Sequence, residues 1–91
     1  MSTVPMTRPY TLLAVRQGEQ WASLCAELDI ASCGATADEA LDMLERAIAD
    51  ALQFECDTGV AAGEPVPRPD LEAFLEEGRD AGGVATRTVT L

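Results

Sequence analysis

Apolar residues along this chain fall into short alternating runs near both ends and one long helical stripe between them. Tyr10 to Arg16, YTLLAVR, is a brief apolar and β-branched run of strand length. The polar Gln17-Gly18-Glu19 that follows suits a hairpin loop. Gln20 to Cys25, QWASLC, then predicts a second strand, with Trp21, Ser23 and Cys25 on one face and Ala22 and Leu24 on the other. Glu27-Leu28-Asp29 interrupts the pattern as a break or bulge, and Ile30 to Cys33 supplies a short third strand that stops at Gly34.

The next segment, GATADEALDMLERAIADAL from Gly34 to Leu52, is the best specified in the chain. Thr36 predicts an N-cap, and Glu39 stands at the third helical position for a capping box. Asp38 and Glu39 put negative charge on the positive end of the helix dipole. Ala40, Leu41, Leu44, Ile48, Ala51 and Leu52 recur at helical spacing, widened by Ala37 and Ala47. Asp42 and Arg46, four apart, form a favourably ordered pair on the surface.

From Cys56 to Pro69, CDTGVAAGEPVPRP, the prolines and glycines predict an exposed connector. Asp70 to Gly78 predicts a short second helix capped by Asp70, with Leu71, Phe74 and Leu75 facing inward and either Gly78 or Gly82-Gly83 ending it. Val84 to Leu91 alternates with β-branched residues and predicts a last strand, whose uncovered edge would invite self-association. Met1 to Pro9 reads as a loose lead-in, within which Met6 is an alternative start. The expected fold is α+β, in the order β-β-β-α-[α]-β: a small three- to four-stranded, mainly antiparallel sheet packed by one main helix, as a single domain over residues 10–91.

Composition narrows the chemistry. With 91 residues, 47% apolar but 4% aromatic, the chain suits one small domain whose core is aliphatic, and oligomerisation would enlarge that core. Sixteen acids face six bases, all arginine, for a net charge of −10. That field repels nucleic-acid phosphates and anionic membranes and speeds encounters with a basic protein. The three cysteines, Cys25, Cys33 and Cys56, have no paired spacing, which fits reduced thiols in a cytoplasmic protein better than a disulfide framework or zinc cage. MSTVPMTRPY lacks the apolar core of a signal peptide, and no run reaches membrane-spanning length.

Without histidine, Ser-His and Cys-His nucleophile pairs cannot form. The glycines do not spell a phosphate loop. Asp29, Glu39, Asp42 and Glu76-Glu77 supply carboxylates, but no tight acidic grouping falls on a strand, where a two-metal site needs rigid support. No catalytic residue, metal ligand or cofactor is expected.

Trp21-Ala22 in the second strand, Glu27-Leu28 after it, and Gly34, Thr36 and Glu39-Ala40-Leu41 opening the helix together resemble the N-terminal domain of HicB-type antitoxins. Leu44, Ala47, Pro65 and Pro67 continue the likeness, which covers about Tyr10 to Leu91. The resemblance implies a partial RNase H-like fold that binds and neutralises HicA, a small basic mRNA-cleaving toxin, by covering its RNA-binding and catalytic surface. On that reading the sheet's second face and edges are left for partners. The operator-binding segment of many relatives is not expected, since the residues after Gly83 read as a strand without a basic cluster.

The residues singled out for partner contact are Trp21, Glu27 and Asp29 around the second strand, and Glu76 and Glu77 on the second helix. A homodimer or tetramer is the expected assembly. The alternative functions are a stand-alone HicB-like oligomeric regulatory or binding module and, further off, a metal-dependent nuclease.

Overall fold

The structure, a computed structural model, describes residues 7–91. Four strands and two helices follow in the order β1 (Pro9–Gln17), β2 (Gln20–Cys25), β3 (Ile30–Gly34), α1 (Ala37–Thr58), α2 (Arg68–Asp80) and β4 (Val84–Thr90). The fold is α+β, as the alternation of short runs predicts. The strands make one antiparallel sheet in the order β3-β2-β1-β4.

Strand alternation divides the side chains of β1 between two faces. Leu12 and Ala14 join Tyr10, Cys25, Ala40, Leu41, Leu44 and Ile48 in the main core beneath α1. Ser23, the one buried polar residue among those described, lies on the same face, and its hydroxyl donates to the Ala40 carbonyl at 2.8 Å. That bond removes the cost of an unpaired hydroxyl in the core. Trp21, Ser23 and Cys25 thus share a face, as predicted.

Leu13, Val15 and Leu24 point to the opposite face and are also buried, because that face is not open. The expectation that the sheet's second face is left for partners needs correction here, for the short second helix, α2, packs across β1 and touches β4. The approach is close: a Cβ on Gly78 would lie 2.5 Å from Val15 Cγ1 and 2.9 Å from the Gly83 carbonyl oxygen. The result is a three-layer unit, α1 over the sheet over α2.

Several boundaries differ from the sequence reading, each for a local reason. Arg8 and Leu91 exchange backbone hydrogen bonds of 2.9 and 3.1 Å, so Arg8 and Pro9 belong to the sheet rather than to a lead-in; residues 1–6, including Met6, lie outside the described residues. α1 continues through Cys56 to Thr58 and stops at Gly59, whose φ of 75° is left-handed. The connector is therefore shorter than Cys56–Pro69. α2 starts at Arg68, with Pro67 as N-cap and Pro69 in the first turn, where a missing amide costs no hydrogen bond. Asp70 sits inside that turn and does not cap it. Of the two stops offered for α2, Gly78 lies inside the helix, which runs on to Asp80, just before Gly82-Gly83.

The start of α1 follows the predicted design with one change. The Thr36 hydroxyl accepts from the Glu39 amide at 3.1 Å, while the Glu39 carboxylate reaches back to the Ala35 amide at 3.2 Å, one residue before the cap. No helix among the described residues is long and apolar enough to cross a membrane.

Candidate functional site

α1 carries most of its chemistry on its exposed arc. At 100° per residue, Arg46 and Gln53 fall on the crest opposite the buried stripe, Glu39, Asp50 and Asp57 lie just beside them, and Met43 and Phe54 come next on the side away from β4. Met43 is 44% and Phe54 57% exposed, large values for side chains of this size. The sequence reading used the buried stripe of this helix and passed over the outward one, although the eleven-residue step from Met43 to Phe54 returns to nearly the same angle.

The flank of α1 that faces β4 is acidic. Arg87 rises from β4 toward it, and its Nη1 bonds Asp42 at 2.7 Å and Glu45 at 3.2 Å. Its Nη2 stands 3.8 Å from Asp38. The Asp42 hydrogen bond, more than any other contact, raises the Arg87 pKa above its ordinary value, so the guanidinium stays charged throughout. Asp42 accordingly engages Arg87 across the fold, instead of Arg46 along the helix. Beyond this cluster a shallow groove of ≈ 380 Å³ is lined by Asp42, Glu45, Arg46, Ala49 and Leu91.

The five residues predicted to meet a partner lie in two places. Trp21 is half-buried at the hairpin end of β2, and its ring stretches over Arg16 toward β4: Cη2 would lie 2.6 Å from a Cβ on Gly83. Glu76 and Glu77 are exposed near the same end, where the Glu77 carboxylate accepts from Gln17 Nε2 at 3.2 Å. Glu27 and Asp29 lie past the other end of β2, about 13 Å or more from Trp21 along the strand.

The geometry gives Glu27 an internal role. Its Oε1 accepts the Thr11 amide at 2.7 Å, and the Cys25 thiol donates to it at 3.8 Å. Asp29 is exposed and holds the turn into β3 with φ 52°, a conformation that Asp tolerates better than most residues. The predicted residues therefore do not share one surface: Trp21 and the Glu76-Glu77 pair stand at the hairpin end on opposite sheet faces, while Glu27 and Asp29 lie at the other end, with Glu27 partly committed to the chain's own backbone.

Among the described residues no three His, Cys, Asp or Glu side chains are grouped to hold a metal ion. Every buried side-chain nitrogen and oxygen among them has a hydrogen-bond partner. Burial raises the Cys25 pKa above 9.0, against smaller opposing effects of backbone hydrogen bonds at Glu27 and Leu28, so this thiol is protonated at neutral pH. The exposed arc of α1 and the Arg87 cluster are charged, partly apolar surface. No family model, curated protein or solved structure matches the chain.

Proposed function

We propose that this chain is a HicB-like antitoxin that binds a small basic HicA-like ribonuclease in the cytoplasm and masks its RNA-binding and catalytic surface. The chain contributes occlusion and carries out no reaction itself. The observation that supports this reading is the exposed arc of α1, where Met43 and Phe54 stand next to Glu39, Asp50 and Asp57. Exposed apolar anchors beside fixed charge are the usual composition of a protein-binding patch. The carboxylates would pair with the basic groups that a ribonuclease presents to RNA, and the net charge of −10 would speed the encounter.

The test is co-expression of the chain with the small basic protein encoded in the adjacent reading frame. The expected result is rescue of growth and a co-purifying complex that weakens as salt rises. Phe54→Asp should weaken the complex by about tenfold or more while leaving the fold intact. RNA cleavage by the isolated chain, or a basic neighbour that neither binds nor is neutralised, would overturn the proposal.

A further inference from the structure

The two edges of the sheet differ. β3 is the shorter edge, five residues long, and lies beneath α1 along its length. β4 offers seven residues, VATRTVT, with no proline and no bulge. Natural edges are commonly guarded by an outward charge, a proline or a distortion. The single charged side chain of β4, Arg87, is instead drawn onto the α1 carboxylates.

The hydrogen-bond register identifies what this edge presents. Arg8 and Leu91 bond each other, and the Arg16 amide bonds the Gly83 carbonyl, so by antiparallel alternation Ala85, Arg87 and Val89 direct their backbone groups to β1. Val84, Thr86, Thr88 and Thr90 direct theirs outward. All four side chains are exposed and uncharged, in a protein that otherwise has an acidic surface.

We infer that β4 is a self-pairing edge, on which a second copy of this chain docks its own β4 antiparallel to make a continuous eight-stranded sheet. Pairing about Arg87 places Thr86 opposite the partner's Thr88 and Val84 opposite the partner's Thr90. All four outward residues of each strand are then bonded. On the α1 side the same register brings half-buried Ala85 opposite the partner's Val89, and Leu91 beside the partner's Gly83 and Trp21, covering apolar surface that the single chain leaves partly exposed. The two Arg87 guanidiniums lie across the axis from each other, each held by its own Asp42 and Glu45, so their charges meet acidic flanks on both sides.

A second copy fits this edge better than a basic protein does, because the outward groups offer a basic strand no charge to recognise. The salt dependence separates the two. Like-charged copies at −10 each associate more tightly as salt rises, whereas an acidic–basic complex loosens. The inference does not rest on the antitoxin reading, which uses the exposed arc of α1.

Light scattering on the purified 91-residue chain tests it, at roughly 100 µM, where a weak specific dimer is populated. The expected mass is twice the 9.6 kDa of one chain, with tighter association in salt. Thr88→Pro removes an outward amide that β1 does not use, and should give a folded monomer. Thr88→Lys places a charge on the edge without altering the backbone, and should raise the dissociation constant about tenfold or more. Hydrogen exchange should show the Thr86, Thr88 and Thr90 amides slowed in the dimer and fast in both variants. A wild-type monomer, a dimer indifferent to Thr88→Lys, or fast exchange of those amides within the dimer would overturn the inference.

Discussion

The Glu27 carboxylate accepts the Thr11 amide at 2.7 Å, in the position where an antiparallel ladder would place the Ala26 carbonyl. The Ala26 amide still bonds the Thr11 carbonyl at 3.0 Å, but the Ala26 carbonyl has turned to accept from Val66 at 2.9 Å. One side chain therefore lets the end of β2 serve both its sheet neighbour and the connector that leads to α2. Glu27→Ala should lower stability by about 1–3 kcal/mol, because it leaves a partly buried amide unpaired. Glu27→Gln keeps an acceptor and should cost less. Urea melts of the two variants decide this, and equal losses would contradict the assignment.

Gly78 and Val15 set the distance between α2 and the sheet. Alanine is the better helix former by about 1 kcal/mol, so an exposed Gly78 would gain from substitution. Here the added Cβ meets Val15 Cγ1 at 2.5 Å, and overpacking of this kind costs about 1–3 kcal/mol. Gly78→Ala should therefore lower the thermal midpoint, and Val15→Ala in the same chain should add less than its separate cost. A raised midpoint in Gly78→Ala would show that α2 does not pack here.

Arg87 and Asp42 join the last strand to the first half of α1. The Arg87 side chain is 27% exposed and that of Asp42 64%, so solvent screens the pair substantially. A double-mutant cycle with Arg87→Met and Asp42→Asn should give a coupling of up to about 1 kcal/mol that shrinks as salt is added. A coupling of zero at low salt would count against the bond.

The three cysteines should react in two classes. Cys33 and Cys56 are exposed, whereas Cys25 is buried in the core. A thiol reagent should label two sites quickly in the native protein and the third only on unfolding. Because burial raises the Cys25 pKa above its ordinary 9.0, the protonated form is favoured in the fold. Its contribution to stability is complete below that ordinary value and is lost as pH climbs through the raised one. Unfolding midpoints should fall at alkaline pH, and Cys25→Ala should flatten that fall.

Much of the local design was legible in the chain. The faces of β2, the Thr36 cap and the buried stripe of α1 each follow from neighbours two, three or four residues apart, and all are present. At the connector, glycine and proline are poor guides to where the helices stop. Pro69 is harmless in a first turn, and Gly78 is tolerated inside a helix because the sheet needs its missing side chain. The candidate site was less legible. The sequence places Glu27 among the partner contacts, and only the turned Ala26 carbonyl explains its use by the backbone.

By itself the sequence determined the type of each element, their order, the aliphatic core and the acidic exterior, since periodicity and composition are properties of short windows. Only the tertiary structure decided that α2 closes the second sheet face, that Arg87 leaves Arg46 without Asp42 as its partner, and that β4, expected as an edge, pairs with β1. Those outcomes join residues far apart in the chain, as Arg87 and Asp42 are, and depend on which helix leans over which strand. No local pattern carries that information, because it is set by how the layers share a small core.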